Sequence, residues 1–514
     1  MAGHDEQPTG PDLAAGVAVD QLSPGTSLLG HADGDPVLLA RVGDDFFAIG
    51  ASCTHYGGPL ADGVIDGDTV RCPWHHACFS LRNGEALRAP ALSPVPCYRV
   101  ERRGDQVRVT GKEERDPLAP TYPAANPPRA TPDSVLIVGA GAAGSAAAEM
   151  LRRCGYTGKV TIVDEEHSSP YDRPNLSKDY LAGNAPPEWI PLRPDDFYRQ
   201  HDITIVRARA TRIDTAARRL EVDGHEPIVY DALILATGAE PIHLGLPGED
   251  DPRVHYLRSL ADSDAIIAAA KGARRAVVVG ASFIGLETAA SLRTRGLDVQ
   301  VVAPESLPLE RVLGPQLGAF IKSLHEEKGV VFHLGRKPAR IDGTAVILDD
   351  GTSLDADLVV MGVGVRPRLA LAEQAGLAMD RGVSVNELLQ TSADGVYAVG
   401  DIARWPDPHS GQKIRVEHWV VAQRMGQTAA RNVLGDAERF DQVPFFWSAH
   451  YDVSINYVGH AEQWDRIVVD GDAARRDVSV RYEKAGRTLA LATIFRDDES
   501  LRTEIAMERE AEAR

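Results

Sequence analysis

Residues 134–155 read SVLIVGAGAAGSAAAEMLRRCG: an apolar run, a glycine-rich turn, then an alanine-rich stretch of helical character. This order predicts a buried strand of a parallel sheet that feeds straight into a helix. Within the turn Gly139-Ala140-Gly141-Ala142-Ala143-Gly144, the first glycine permits the sharp reversal and the second lets backbone approach a pyrophosphate. The third lets helix and strand pack closely. Glu165, 21 residues past Gly144 in VTIVDEE, is placed to accept hydrogen bonds from a ribose, with Asp164 and Glu166 as rivals. The unit recurs as RAVVVGASFIGLETAASLRTRG from residue 275, where Gly280, Ser282 and Gly285 take the three glycine positions. A serine at the middle position holds a dinucleotide slightly farther off. Glu305 lies 20 residues past Gly285 at ribose distance, two positions beyond Ala303, and no arginine directly flanks it, which favours NADH over NADPH. Strand and helix alternating twice in this way predict parallel sheets covered by helices.

The chain has 514 residues, room for about three domains at roughly 150 residues each, so a single small binding module is excluded. Its 43% hydrophobic and 25% charged residues exclude wholesale disorder and fibrous repeats. Lys and Arg total 55 against 74 Asp and Glu, and the net charge of -19 argues against a nucleic-acid or anionic-membrane surface. The N-terminus MAGHDEQPTG lacks the pattern of a secretion signal, and no apolar run approaches the ~18 residues of a membrane span, so a cytoplasmic protein is expected. Five cysteines, Cys53, Cys72, Cys78, Cys97 and Cys154, are too few for a disulfide-stapled chain and turn attention to metal binding.

Upstream of residue 113, short β-type runs such as PVLLARV, DFFAIG and DQVRVTG alternate with Gly and Asp, the pattern of a small antiparallel β domain. Five prolines between Glu113 and Thr131 predict a semi-extended linker. From about residue 439 strand-like runs return (VSINYVG, RIVVDG, TLALATIF), and the tail EIAMEREAEAR reads as a solvated helix without function.

Cys53-Thr54-His55, sixteen residues, then Cys72-Pro73-Trp74-His75 is the most specific feature of the chain. A zinc finger places its two histidines together on a helix; here each loop supplies one thiolate and one imidazole. That division suits a [2Fe-2S] cluster with one iron on two thiolates and the other on two imidazoles. Gly57, Gly58 and Gly84 sit where loops turn tightly or bring N–H groups near the cluster sulfurs. CTHYGGPLADG followed by CPWHHACFSLRNGEA resembles the two cluster-binding loops of the Rieske ferredoxin family. The resemblance implies Cys53 and Cys72 on one iron, His55 and His75 on the other. No cysteine follows His55 in the first loop to pair with Cys78, so the resemblance is to the ferredoxin type used with oxygenases, and a potential in the lower part of the Rieske range is expected. Cys78, Cys97 and Cys154 are expected as buried thiols.

Two tandem nucleotide units are what a flavoprotein needs if nicotinamide is to deliver hydride to a flavin. PYDRPNLSKDYL, ALILATGAEP, GASFIGLE, GVGVRP (with Gly362) and VYAVGDIA are similar to successive motifs of the FAD-dependent NADH:ferredoxin reductases that serve oxygenases, and of the related apoptosis-inducing-factor proteins. The resemblance implies Lys178 near the flavin N5 region, Glu287 paired with it, and Arg173 on the FAD. It further implies Asp401 on the ribityl chain, Thr237 and Gly238 at the crossover out of the FAD domain, and Trp447 as an aromatic wall beside the ring. Glu417, His418 and Trp419 would start a helix whose positive end faces the flavin pyrimidine.

The expected architecture is therefore a β Rieske domain (10–112), a linker (113–131), then an α/β flavoprotein of the two-Rossmann type with a C-terminal α+β domain. Its FAD domain spans 132–244 and 368–438, its NAD(P)H domain 245–367, and the C-terminal domain 439–514. The expected cofactors are FAD, a [2Fe-2S] cluster and NADH, and the expected partner is a protein electron acceptor such as a terminal oxygenase or a cytochrome P450. No Cys pair accompanies the nucleotide units for disulfide reduction, no compact His, His, Asp group follows for a self-contained oxygenase, and five cysteines cannot supply a sirohaem cluster. A redox-sensing flavoprotein of the apoptosis-inducing-factor type is the alternative.

Overall fold

The computed structural model describes residues 10–113 and 131–512; the proline-rich stretch expected as a linker lies, but for its end residues, outside them. Four helices carry the argument: α1 (Ala142–Arg153), α2 (Phe283–Thr294), α3 (Trp419–Val433) and α4 (Asp497–Glu512). The chain divides into two compact units, Met1–Pro128 with Glu149–Thr157 and Asp497–Arg514, and Arg129–Ala148 with Gly158–Arg496.

The first unit is built on two antiparallel sheets. The six-stranded sheet runs Val17–Ala18, Gln106–Glu113, Cys97–Arg103, Asp45–Gly50, Asp35–Val42, Thr26–Ala32. Asp35–Val42 is apolar along its middle because both faces are covered. Leu38 and Ala40 face a core with Ile49, Cys53 and Phe79, while Val37 and Leu39 face another with Ala48 and Val107. The smaller sheet, Val64–Asp66, Thr69–Arg71, Cys78–Ser80, Ala86–Arg88, carries one Cys/His loop as its central hairpin turn.

The expected solvated tail is corrected here: α4 packs on this β unit. Leu501 and Ile505 are buried with Val64, and Glu504 is fully buried. Its acids pair with basic groups of the small sheet. Glu504 Oε2 lies 2.7 Å from His76 Nδ1, and Glu508 accepts from Arg71 at 2.6 Å and from Arg88 at 2.6 Å. Cys78 and Cys97 are buried as expected, whereas Cys154 is only half-buried.

The second unit repeats one plan twice. Its first sheet is parallel, in the order Ile203–Arg207, Lys159–Asp164, Ser134–Val138, Ala232–Leu235, Val396–Ala398. Its second is parallel in the same sense, Val254–Tyr256, Leu358–Met361, Arg275–Val279, Asp298–Ala303, Val331–Leu334. Each glycine turn follows the middle strand of its sheet, where phosphate-binding turns of such folds lie. The crossing segments Ala239–Pro241 and Val365–Pro367 pair antiparallel. A five-stranded antiparallel sheet, Phe445–His450, Val453–Gly459, Arg487–Ile494, Asp477–Lys484, Arg466–Asp472, completes the unit and shares a core with the second nucleotide sheet through Leu286, Ile455 and Tyr482.

Candidate functional site

The two Cys/His loops of the first unit share one hydrogen-bond pattern. Cys53 N donates to Gly58 O at 2.8 Å and Gly57 N to Cys53 O at 2.9 Å; Cys72 N donates to Ala77 O at 2.8 Å and His76 N to Cys72 O at 3.1 Å. In each loop the fifth residue takes the left-handed region, Gly57 at φ +76° and His76 at φ +61°. Gly58 has to be glycine, since a Cβ there would stand 2.7 Å from Cys72 Sγ. The loops bring His55 Nδ1 within 3.2 Å of His75 Nδ1, with Cys53 and Cys72 buried beside them. A hydrogen bond between the two thiols pulls the Cys53 pKa down and holds the proton on Cys72. Burial pushes His55 down to about 3, so its imidazole is neutral, the form that ligates metal. Among the described residues no group of three or more His, Cys, Asp or Glu side chains is arranged to hold a single metal ion. Two thiolates and two imidazoles arranged as pairs fit a two-iron cluster rather than a single ion.

In the second unit a cavity of about 840 Å³ lies along the first glycine turn. The turn is tight: a Cβ on Gly139 would meet Ala236 O at 2.3 Å, and one on Gly144 would meet Gly139 O at 1.9 Å. Gly141, by contrast, faces open space and lines the cavity, as a backbone meant to approach a pyrophosphate must. The second turn is built alike, a Cβ on Gly285 meeting Gly280 O at 2.2 Å and one on Gly280 meeting Gly362 O at 2.2 Å; Ser282 lines the cavity.

Lys178 is set in the cavity wall by its own segment. Ser291 of α2 donates to Ser177 O at 2.7 Å, and Ser263 donates to Leu176 O at 3.0 Å. Lys178 Nζ then donates to Glu287 Oε2 of α2 at 2.8 Å, and Ser177 Oγ shares that oxygen at 2.5 Å. Across the cavity, Asp401 accepts from Arg258 at 2.9 Å. Arg173 donates to Glu166 at 3.1 Å and to the carbonyl of Arg258. His418 caps α3 and lines the cavity. Its buried Nδ1 has no hydrogen-bond partner, and burial, with His460 close by, pushes its pKa down to about 3. A buried polar atom of this kind calls for a partner, and a bound cofactor fits that need. Trp419, Glu417, Thr237, Gly238, Gly362 and Trp447 also line the cavity, Glu417 paired with Arg415.

Three carboxylates cluster at the end of Lys159–Asp164, all on the cavity. Glu165 pairs with Arg368, Glu166 with Tyr171 and Arg173, while Asp164 accepts from Ala140 N at 3.4 Å. Burial, with Glu166 close by, raises Asp164 to about 6. Glu305 is not part of the cavity wall; its carbonyl accepts from Gly335 N at 3.0 Å. Sequence reasoning missed Arg258, which no local motif marks, and Phe446, whose ring lies 4.6 Å from His418 and 4.9 Å from Phe283.

Two nucleotide folds meeting at one cavity, in a chain that also carries paired Cys/His loops, define an oxidoreductase of the flavoprotein class joined to a Rieske-type domain. The chain belongs to the pyridine nucleotide-disulphide oxidoreductase family, whose pattern matches residues 133–426; the Rieske [2Fe-2S] domain matches 14–99 and the reductase C-terminal domain 445–514. It is 31% identical to apoptosis-inducing factor 3 of Homo sapiens over 90% of this chain and 78% of that protein. It is 36% identical to putidaredoxin reductase of Pseudomonas putida over 71% of this chain and 89% of that one. The crystal structure of the covalent putidaredoxin reductase–putidaredoxin complex superposes with a TM-score of 0.71 at 34% identity, covering 73% of this chain and 93% of that chain. The protein is accordingly an FAD-dependent, NAD(P)H-linked oxidoreductase of ferredoxin-reductase type. No helix among the described residues is long and apolar enough to cross a membrane.

Proposed function

We propose that this protein takes hydride from NADH and delivers electrons singly, through its own Rieske centre, to an external protein acceptor such as a terminal oxygenase or a cytochrome P450. The Lys178–Glu287 pair in the wall of the cavity carries the reading. When bound, FAD accepts two electrons as a hydride and parts with them one at a time, and a [2Fe-2S] cluster takes one. Lys178 places a cation where negative charge develops, and Glu287 fixes its position. Gly141 and the α1 N-terminus hold the pyrophosphate, Asp401 and the acids after Lys159–Asp164 the polyol and ribose, and His418 with α3 the pyrimidine end. Cys53 and Cys72 hold one iron, His55 and His75 the other. NADH is the favoured donor, since the arginine next to the Ala303 strand end, Arg336, already pairs with Asp350 at 3.1 Å.

The test uses two acceptors. NADH-dependent reduction of ferricyanide, a small acceptor, is expected to persist in His75→Cys with its FAD content intact, while reduction of cytochrome c is lost and the Rieske spectrum changes. Undiminished cytochrome c reduction by the variant contradicts the route through the cluster. A second reading, a redox sensor in which NADH changes conformation or oligomeric state, draws support from the apoptosis-inducing factor 3 likeness, which extends over the Cys/His loops. A stable charge-transfer complex with NADH-dependent dimerisation and slow turnover favours it.

A further inference from the structure

The Lys178–Glu287 pair is the inner end of a longer buried chain of polar groups. Ser448 Oγ donates to Glu287 Oε1 at 2.6 Å, and His450 Nε2 lies 3.1 Å from Ser448 Oγ. His450 Nδ1 lies 3.2 Å from His325 Nε2, and the Tyr451 hydroxyl 3.5 Å from His325 Nδ1. Ser448 and His450 alternate on one face of strand Phe445–His450, while His325 comes from helix Glu310–Glu327. All but the last residue are buried, with both histidines at 0% exposure; Tyr451 is half-buried, with Lys328 Nζ 5.7 Å from its ring.

The partners fix the direction of every hydrogen bond. A carboxylate only accepts, so Ser448 O–H donates to Glu287 and Ser448 Oγ accepts from His450 Nε2–H. His450 Nδ1 is then bare and accepts from His325 Nε2–H, which leaves His325 Nδ1 to accept from Tyr451 O–H. Both imidazoles are neutral, since burial pushes His450 down to about 3, with Lys178 adding to the effect, and His325 far down, with His450 adding to the effect. Tyr451 itself sits in the left-handed backbone region at φ +59°, a costly position for a bulky residue, with its ring 5.2 Å from that of His325.

We propose that Ser448, His450, His325 and Tyr451 form a proton relay that joins the Lys178–Glu287 pair to solvent, a role that rests on reading the cavity as the flavin site. The turnover NADH + 2 A(ox) → NAD+ + 2 A(red) + H+, with A a one-electron iron–sulfur or haem acceptor, releases one proton net: where one proton enters with the hydride, two leave with the electrons, and the relay carries the entering proton and one of the two that leave, the other leaving by way of the cavity itself. In the inward step Ser448 gives its proton to Glu287 and takes that of His450 Nε2. His325 Nε2–H passes to His450 Nδ1, Tyr451 O–H to His325 Nδ1, and solvent reprotonates Tyr451. Both imidazoles are left as Nδ1–H tautomers, the arrangement that carries a proton outward and restores the starting state. A wire of this kind works in both directions without charging a buried histidine for long.

Nitrogen NMR of the histidine-labelled holoenzyme is expected to show His450 and His325 as neutral Nε2–H tautomers across neutral pH; either one doubly protonated, or resting as Nδ1–H, overturns the relay. In anaerobic stopped-flow with a pH-indicating dye, His450→Gln keeps hydrogen-bonding groups of similar reach but cannot pass a proton. Its proton exchange is expected to slow by about a hundredfold, the low end for losing a proton-transfer partner. Tyr451→Phe, at the hairpin turn, is expected to slow it in the same sense and serves if His450→Gln does not fold. Wild-type proton exchange in both variants overturns the relay. Lys178→Gln separates the two claims. If it slows hydride transfer while the relay variants behave as wild type, the relay alone falls; if it too transfers hydride at the wild-type rate, the flavin-site reading falls and takes the relay with it.

Discussion

At the scale of single residues, the two Cys/His loops need one left-handed position each, and they meet that need differently. Gly57 takes it without steric cost, whereas His76 pays about 1–2 kcal/mol for a Cβ there. The return is a buried hydrogen bond to Glu504, which lets the residue after His75, a proposed ligand, tie down the loop. Asp164 is the other residue held at a cost. Burial raises its pKa from 3.8 to about 6, so the folded chain binds a proton that the unfolded chain releases. That stability is fully present below the unfolded value and is lost as pH rises through about 6. In FAD-free protein Asp164→Asn is therefore expected to raise the melting temperature relative to wild type by a margin that grows across this window and is flat above it; a margin independent of pH contradicts the assignment. The paired Cys/His loops were legible because Cys-x-His and Cys-x-x-His are local patterns. The histidine relay and the Glu504 contact were not, because His325 and His450 are 125 positions apart and His76 and Glu504 are 428 apart.

At the scale of elements, α4 shows how a charged helix becomes part of a core. Leu501 and Ile505 pack with Val64 and Met507 is buried as well, a narrow apolar stripe in a charged helix, so its sequence reads as solvated. What fastens it is a set of acids facing Arg71, His76 and Arg88. Glu504→Ala leaves Arg71 and His76 buried with a partner removed, a change that costs about 3 kcal/mol or more. Denaturant unfolding followed through the visible circular dichroism of the cluster is expected to show that loss, and Glu504→Gln, which keeps a hydrogen-bond acceptor, to recover part of it; an unchanged cluster transition in Glu504→Ala means that α4 does not support the loop. The strand–turn–helix elements at 134–155 and 275–296, by contrast, were readable outright, because a buried parallel strand and its glycine turn are encoded by contiguous residues. Glu305, placed on a ribose by counting, lies outside the lining of the cavity along the first glycine turn.

At the scale of the whole molecule, the chain combines a flavoprotein reductase fold with a Rieske domain, and the proposed route has electrons pass from the first to the second. No cysteine follows Cys154 in the sequence, so the second nucleotide unit offers no dithiol pair for disulfide exchange. An anaerobic titration with NADH, following flavin absorbance while samples are frozen for electron paramagnetic resonance, tests this account most directly. Flavin bleaching accompanied by the growth of a Rieske-type signal is the predicted result. Flavin bleaching with a cluster that stays oxidised contradicts it.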